Sequence, residues 1–196
     1  MNTSIPGYSH GSSALPPAGI SLAELELMKK TALFTAEDEK YLRLSGEVLA
    51  DQVEQVLDVW YGFIGGNPHL VASFVDKRTE KPDAAYLEAV RKRFGQWILD
   101  TASAKYDQAW LDYQWEIGFR HHRTKKNTTD QATAADVVPL RYLAPIVFPV
   151  TETLKPFLQK KGHSAEDVER MHAAWVKSVL LQITLWSHPY VEPRDY

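Results

Sequence analysis

The segment from Tyr106 to Lys126 constrains the fold most strongly, because its periodicity predicts one helix with an unusually wide apolar face. Residues spaced three or four apart form one strip of that face, namely Trp110, Tyr113, Ile117 and His121. A second apolar strip beside it consists of Leu111, Trp115, Gly118, Phe119 and His122. On the remaining charged arc, Glu116 and Arg120 have the spacing of an ion pair one turn apart. The segment therefore predicts an amphipathic helix with two adjacent histidines near its C-terminal end.

The adjacent pair His121 and His122 has two interpretations. Neutral imidazole donates an electron pair, and an apolar wall can hold it ready to bind a metal ion. A histidine on an apolar face is more often a packed core residue whose ring is hydrogen-bonded. Periodicity does not choose between the two histidines, because both fall on apolar arcs. The pattern alone therefore leaves a metal ligand and a structural histidine both open.

The composition excludes several classes of protein. None of the 196 residues is a cysteine, which excludes disulfides, iron–sulfur clusters, thiolate-bound zinc and attachment of haem through C-x-x-C-H. The H-E-x-x-H motif of zinc hydrolases, the P-loop and the G-x-G-x-x-G motif are also missing from the sequence. A net charge of −3 indicates no general attraction to nucleic acid. We attribute the basic run at 123–126 to the favourable dipole of the preceding helix C-terminus.

The sequence also bears on location and size. Neither a secretory signal nor an apolar run of membrane-spanning length is present, so no membrane association is expected. Hydrophobic residues make up 44% of the chain and aromatic residues 11%, which suits one domain with a substantial core. We therefore expect a soluble, cytoplasmic protein of one domain.

Apolar periodicity predicts an all-α chain of six to eight helices. Residues 1–20 are rich in proline, glycine and serine and are expected to form an extended arm. Ser21 is expected to cap the first helix, with Glu24 completing a capping box. Thr35 is expected to cap a second helix that continues to about Ile64. The N-terminal third of the chain is therefore predicted to contain an arm and two helices.

Further helices, separated by polar loops, are predicted for the rest of the chain. A polar loop is expected over residues 75–83, and a long helix follows it. An apolar segment at 140–158 is expected to bend at Pro145 and Pro149, and Ser164 to cap the last helix. Several of these helices have bulky apolar faces. Together with an inward histidine, such helices can enclose a large, flat, apolar cofactor such as haem.

Five sequence blocks make the chain recognisable. They are IPGY at 5–8, DQVEQVLDVWYGF at 51–63, RKRFGQWILDT at 91–101, YDQAWLDYQWEIGFRHHRTKKN at 106–127 and KPFLQKKG at 155–162. At this length and in this order, they resemble the protoglobins, which are single-domain haem proteins related to the globin domains of globin-coupled sensors. The resemblance covers nearly the whole chain. It implies an enlarged globin fold with an extra N-terminal helix and an extended N-terminal arm, divided into an arm at 1–20 and a single domain at 21–196.

The resemblance also implies the cofactor and its iron ligand. Protoglobins bind b-type haem, iron protoporphyrin IX, without covalent attachment and partly under the N-terminal arm. The first histidine of the RHH triplet matches the proximal iron ligand of the family, which selects His121 over His122. Ile117 lies one turn earlier on the same apolar strip and is expected to contact the haem as well.

Further pocket residues follow from the match to the family pattern. The WY pair places Trp60 and Tyr61 over the distal face of the haem. Val90 stands where many ordinary globins have a distal histidine, which leaves Tyr61 as the polar contact for a bound gas. Arg93 matches a position suited to a haem propionate, while a plain surface role is the alternative. The remaining matches to haem-pocket positions are Phe74, Phe94, Ile146 and Val150, and some relatives carry an aromatic residue where Ile146 stands.

The resemblance favours a gas-binding protein over a dedicated enzyme. We expect reversible binding of O₂, CO or NO at a five-coordinate haem iron, with the protein acting as a gas binder or sensor. The chain ends soon after its last predicted helix, so a sensor is expected to pass its signal to a separate protein. The alternative is a haem enzyme that acts on NO, peroxide or reactive nitrogen species with electrons from an external reductant or reductase.

A homodimer is also expected, because related domains pair through their last two long helices. In this chain those helices carry abundant apolar surface. The residues concerned are Leu143, Val147, Leu154, Trp175, Val179 and Trp186. Core packing and haem contacts are the alternative use for the same side chains.

Overall fold

The computed structural model describes residues 5–196, and the regular structure in this range is almost entirely α-helical. The helices are α1 (Leu22–Thr31), α2 (Ala36–Leu49), α3 (Val53–Gly65), α4 (Pro68–Val71), α5 (Ala84–Ser103), α6 (Gln108–His121), α7 (Leu140–Leu143), α8 (Val147–Leu158) and α9 (Ala165–Ser187). The all-α prediction is confirmed. Nine α-helices in the described range exceed the predicted six to eight, because α4 and α7 are single turns and one predicted helix is split. None of these helices has the length and apolar character needed to cross a membrane.

Side-chain caps begin the first two helices where the sequence predicted them. The Ser21 hydroxyl accepts a hydrogen bond from the Glu24 N–H at 3.2 Å, and the Glu24 carboxylate accepts one from the Ser21 N–H at 2.8 Å. Thr35 and Asp38 form a second capping box at the start of α2. These contacts satisfy backbone donors that the first turn of a helix leaves free, which is why both boundaries are readable locally.

The prediction of one continuous helix to about Ile64 is wrong, because the chain breaks between α2 and α3. Gln52 lies at the break and is buried. Its Nε2 donates to the Val48 carbonyl at 2.7 Å and to the Phe157 carbonyl at 3.3 Å. The first bond caps the end of α2, and the second ties the break to α8. Neither glycine nor proline occurs at 50–52, so the sequence carries no local signal of the break.

A two-stranded antiparallel ribbon replaces the polar loop predicted after α4, and that prediction is wrong. Strand β1 (Val75–Asp76) pairs with strand β2 (Lys81–Pro82). The buried carboxylate of Asp76 holds the turn between them, because it accepts hydrogen bonds from the Arg78 N–H at 2.7 Å and from the Thr133 hydroxyl at 2.7 Å. The ribbon is thereby attached to the loop that follows α6.

The C-terminal helices form the centre of the fold. Helix α9 packs against α8, α2 and α6, and Ser164 caps it as predicted by accepting from the Asp167 N–H at 3.1 Å. The chain enters α8 through a 3₁₀ turn that contains Pro145, which confirms the predicted bend there. Pro149 lies within the first turn of α8, where a missing backbone donor costs little, so no separate bend occurs at that residue.

The described part of the N-terminal arm, residues 5–20, lies against α5 and α6. Arg93 on α5 donates to the Pro6 carbonyl at 2.9 Å. The Ala18 N–H donates to Asp112 Oδ1 on α6 at 2.8 Å. Hydrogen bonds near both ends therefore hold this segment on the helices. The division of the chain into an arm and one domain remains a prediction, and its first four residues lie outside the described range.

Candidate functional site

A cavity of about 220 Å³ lies between α3, α5, α6 and α9, with the segment from α7 into α8 completing its wall. The wall is mainly apolar and aromatic. All the residues that the family pattern assigned to a pocket meet in it, namely Trp60, Tyr61, Phe74, Val90, Arg93, Phe94, Ile117, His121, Ile146 and Val150. The fold therefore brings together residues that are far apart in the chain, while their contact with haem remains a proposal.

His121 is the last residue of α6, and its ring is held from two sides. Nδ1 lies 2.9 Å from the Ile117 carbonyl, which only accepts hydrogen bonds, so Nδ1 carries the proton and Nε2 keeps its lone pair. The ring stacks on Trp186, with centroids 5.0 Å apart and an interplanar angle of 14°. Burial lowers the pKa of the His121 imidazole to about 4, so the ring is neutral near neutral pH. A fixed, neutral imidazole with a free lone pair can bind a metal ion.

His122 lies outside the helix, and the prediction that α6 continues to Lys126 is wrong. The backbone at His122 is extended, and the His121 carbonyl accepts a hydrogen bond from the Val138 N–H at 2.8 Å instead of continuing the helix. The His122 Nδ1 lies 2.7 Å from the Thr124 hydroxyl, and His122 is absent from the cavity wall. The two adjacent histidines therefore have different surroundings, and only His121 lines the cavity.

Aromatic rings form the wall contributed by α3 and α5. Trp60 is buried, and its ring stacks on Phe94 with centroids 5.7 Å apart. Phe94 in turn stacks on Trp97 at 5.0 Å with an interplanar angle of 9°. Stacked rings at these distances are mutually stabilising. This part of the wall is therefore apolar and closely packed.

The Tyr61 side chain, next to Trp60, is held by fewer hydrogen bonds than the His121 side chain. The guanidinium of Arg91 lies over its ring, 5.6 Å from the centroid. Burial raises the pKa of the Tyr61 phenol, so the hydroxyl keeps its proton and remains a hydrogen-bond donor. Within residues 5–196 this hydroxyl forms no hydrogen bond to the protein. The donor is therefore available to a small polar molecule in the cavity.

Arg93 lies at one edge of the cavity and is not a surface residue, because its side chain is only 13% exposed. Its guanidinium pairs with the Asp130 carboxylate through two contacts of 2.5 and 2.9 Å. It also donates to the Pro6 carbonyl at 2.9 Å. A bidentate pair of this kind fixes the guanidinium plane at the cavity edge. The surface role considered for Arg93 is therefore wrong.

Two further cations at the same edge were missed by sequence reasoning. Lys126 was attributed to the helix dipole, which is wrong, because it is buried and donates from Nζ to the Ser73 carbonyl at 2.7 Å. Burial lowers its pKa to about 8. Arg120 forms the predicted ion pair with Glu116 at 3.1 Å and also lines the cavity. Nothing in the local pattern of a basic run distinguishes an inward lysine from solvated neighbours.

The wall and the edge together fit a particular kind of ligand. The apolar and aromatic wall suits a flat apolar ring system, and the His121 imidazole suits a metal at its centre. The cations Arg93, Arg120 and Lys126 suit carboxylates on one edge of that ring system. Haem has all three properties, so the residues present fit the group.

Comparisons with known proteins agree with this reading of the fold. The Protoglobin family model matches residues 21–196 of the chain. Among solved structures, the globin domain of the Geobacter sulfurreducens globin-coupled sensor matches with a TM-score of 0.63 and 17% sequence identity. That match covers 85% of this chain and 97% of the sensor domain, and at this identity it supports the fold alone. A comparison with curated protein sequences found no match.

Proposed function

This chain belongs to the protoglobin family, and from that membership we propose that it binds b-type haem in the cavity, with His121 as the iron ligand. Membership supports a globin-type haem protein that binds or senses a gas. The identity of the gases, O₂, CO and NO, the haem type and the coordinating residue are our proposal.

The observation that carries the proposal is the state of His121 in the cavity wall. The bond from Nδ1 to the Ile117 carbonyl selects the tautomer whose Nε2 is a ligand. Stacking on Trp186 restricts rotation of the ring, so the ligand geometry is set before haem enters. A histidine that only fills core space does not need a free nitrogen lone pair beside a cavity.

The remaining wall residues divide the work between haem and gas. Arg93, Arg120 and Lys126 would hold the haem carboxylates at the charged edge. Trp60 and Phe94 would cover the ring system with apolar surface and exclude water. The free Tyr61 hydroxyl would donate a hydrogen bond to a polar gas such as O₂. When bound, haem supplies an iron with an open position for the gas.

An absorption spectrum tests this proposal directly. The purified protein, reconstituted with haem and reduced, is expected to show a Soret band that shifts when CO is added. Apo protein that gains no Soret band on titration with haem would contradict the proposed cofactor. A Soret band that CO leaves unchanged would instead contradict an open gas-binding position.

A second function, a haem enzyme that acts on NO, peroxide or reactive nitrogen species, has one observation in its favour. Electron-rich rings continue from the cavity wall at Tyr113 to the arm at Tyr8, where the ring centroids are 5.3 Å apart. Such an enzyme needs electrons from an external reductant or reductase. Turnover with a reductant distinguishes it from a protein that only binds gas.

The homodimer remains a proposal, but most of the side chains that were expected to form its interface do not face outward. Five of the six cited residues are buried in the chain's own core, namely Leu143, Leu154, Trp175, Val179 and Trp186. They pack there because α9 is central to the fold and faces other helices on most sides. A dimer through α8 and α9 would therefore use their outer faces.

Those outer faces contain an apolar surface. The ion pair Lys155–Glu169 at 2.9 Å and the 3.3 Å approach of Glu152 to His172 set an antiparallel register between α8 and α9. One turn further, we infer that this register places Phe148 beside Val176. Phe148 is 70% exposed, which is unusual for a phenylalanine in a folded chain. A second copy of the chain is the proposed occupant of this surface.

A further inference from the structure

Tyr8, in the N-terminal arm, has contacts that gas binding does not use. Its hydroxyl donates to Asp100 Oδ2 on α5 at 2.7 Å and lies 3.1 Å from His10 Nδ1. Its side chain is half-buried, so part of the ring faces solvent. Oxidation of a phenol releases a proton together with an electron, and a hydrogen-bonded base makes that loss easier. The cluster of Tyr8, His10 and Asp100 is therefore a suitable site for one-electron oxidation of tyrosine.

Tyr113 connects this cluster to the cavity. Its ring lines the cavity wall and meets Tyr8 edge-on at 5.3 Å between centroids. The His10 ring stacks on Tyr113 at 5.5 Å with an interplanar angle of 4°. Rings in contact at such distances permit rapid electron transfer. The guanidinium of Arg120 lies over Tyr113, 5.7 Å from its centroid. This positive charge disfavours removal of an electron from the Tyr113 ring, so the oxidised form does not persist there.

Asp100 supplies the base that Tyr113 lacks. Burial alone would raise the pKa of its carboxyl group, but the nearby His10 ring and hydrogen bonds from Gln96 and Tyr8 outweigh burial and lower the pKa. The group is therefore ionised near neutral pH and can accept the proton of Tyr8. A negative charge beside Tyr8 also favours loss of an electron there, in contrast to the positive charge above Tyr113.

Two tryptophans of the cavity wall, Trp186 and Trp97, are less suitable final sites. Trp186 stacks on His121, but its Nε1 donates to the neutral amide of Gln114 at 2.8 Å. Trp97 likewise donates to the amide of Gln182. Neutral amides do not accept a proton readily, and both tryptophans are buried away from solvent. Oxidation that reaches these rings therefore has neither a base nor an outlet.

We propose that Tyr8 is the surface end of an electron path from the haem cavity through Tyr113, and that a small phenolic reductant delivers electrons there. This proposal rests on the proposed presence of haem in the cavity. Hydrogen peroxide removes two electrons from the haem protein and is reduced to water. Tyr8 then gives one electron through Tyr113 toward the cavity, and its hydroxyl proton passes to Asp100. The phenolic reductant gives one electron to Tyr8 and releases its own hydroxyl proton, while Asp100 returns the first proton to Tyr8. Two such rounds supply the two electrons and the two protons that reduce one hydrogen peroxide to two waters.

The experiment locates the oxidised side chain. The haem-loaded protein, identified by its Soret band and CO shift, is treated with hydrogen peroxide and a nitroso spin trap. Peptide mass spectrometry then maps the adduct, and electron paramagnetic resonance records the tyrosyl signal. We expect the adduct on Tyr8, its loss in Tyr8→Phe, and a reduced yield in Asp100→Asn, which preserves side-chain size but removes the base.

Tyr190→Phe is the matched control. Tyr190 is also half-buried, but its hydroxyl donates to the Val138 carbonyl at 2.8 Å and has no carboxylate beside it. This variant is expected to leave both the adduct on Tyr8 and the oxidation of a phenolic reductant unchanged, whereas Tyr8→Phe should slow that oxidation. An adduct on Trp186 or Tyr190 with Tyr8 unlabelled would overturn the path, as would reductant oxidation in Tyr8→Phe equal to wild type. A missing Soret band would overturn the proposed function itself, whereas a normal Soret band with unlabelled Tyr8 would overturn only this inference.

Discussion

His121 on α6 and Tyr61 on α3 line the same cavity, but the surrounding structure holds them very differently. The imidazole has a hydrogen bond to the Ile117 carbonyl and a stacking partner in Trp186. The phenol has Arg91 over its ring and packs against the apolar core, but its hydroxyl has no hydrogen-bond partner within residues 5–196. A metal ligand gains from being oriented before the metal arrives, because less freedom is lost on binding. A donor to a transient gas gains from having no competing partner.

Removal of the His121 imidazole is expected to have the largest effect, which is a loss of haem binding. His121→Ala should abolish or severely weaken haem binding, because no other imidazole lines the cavity in the described range. His122→Ala is the matched control and should retain the Soret band, since His122 lies outside the cavity. The measurement is titration of each apo protein with haem. Imidazole added to His121→Ala should restore the band if the variant is folded. Equal haem retention in the two variants would remove the ligand assignment.

The next test concerns the homodimer and uses the outer face of α8. The inner face carries Val150 of the cavity wall, so a change on the outer face leaves the cavity intact. Phe148→Glu should convert a dimer to a monomer, because a carboxylate would be buried against the second copy without a partner. Val59→Glu replaces another exposed apolar residue, 52% exposed on α3, and should leave the dimer intact. Light scattering across micromolar concentrations measures the mass. A wild-type monomer would reject the dimer, and a dimeric Phe148→Glu would reject this surface.

Lys126, which forms the charged edge of the cavity with Arg93 and Arg120, should have an effect of intermediate size, in this case on stability. Lys126 has a folded-state pKa of about 8, below its ordinary value of 10.5. Between these pH values the unfolded chain holds the proton and the folded chain has lost it, so the free energy of unfolding of the haem-free protein should rise with pH. The rise is at most about 3 kcal/mol.

Urea denaturation across this pH range measures the rise. It should be missing in Lys126→Met and present in Lys125→Met, whose side chain is 37% exposed. Haem carboxylates near Lys126 would favour its charged form, so the rise should shrink in the haem-loaded protein. An equal rise with and without haem would separate Lys126 from the haem carboxylates.

Removal of the Tyr61 hydroxyl is expected to have the smallest effect, which is on the rate of gas release. Tyr61→Phe should speed release of O₂, because the outer oxygen of the O₂ ligand carries partial negative charge and accepts a hydrogen bond. A net hydrogen bond of roughly 0.5–1.5 kcal/mol corresponds to about a two- to twelvefold change in dissociation rate. Release of CO should change far less, since CO carries less charge. Stopped-flow measurements of both gases decide the matter. If the variant released O₂ at the wild-type rate, or accelerated both gases equally, Tyr61 would act only as a steric shield.

Local features of the sequence were sufficient for several boundaries and failed for others. The capping box of Ser21 and Glu24 was predicted correctly, because all of its atoms lie within one turn. The break at Gln52 was missed, because its side chain bonds to a carbonyl of Phe157 more than a hundred residues away. The two-stranded ribbon was missed for a related reason, since Asp76 is held by Thr133.

The candidate site likewise has some residues that the sequence indicated and others that it did not. Family-specific blocks in the sequence indicated the pocket residues, and the fold does bring all of them to the lining of one cavity. Periodicity could not separate His121 from His122, because both lie on apolar arcs, while α6 ends between them where the Val138 N–H bonds to the His121 carbonyl. It also could not show that Lys126 points inward, since a basic run on a helix end has the same pattern when it is solvated.

The sequence by itself determined the all-α class, the helix caps and the set of aromatic and apolar residues that form a pocket. The caps follow from contacts within a turn and the all-α class from the spacing of apolar side chains, whereas the set of pocket residues follows from the resemblance to the protoglobins. Only the tertiary structure decided where α6 ends relative to the two histidines, how the His121 ring is stacked, and that Arg120 and Lys126 line the cavity together with Arg93. The end of α6 depends on the Val138 N–H, the stacking of His121 on the Trp186 ring and the burial of Lys126 on the Ser73 carbonyl, and these partners meet only when the helices pack.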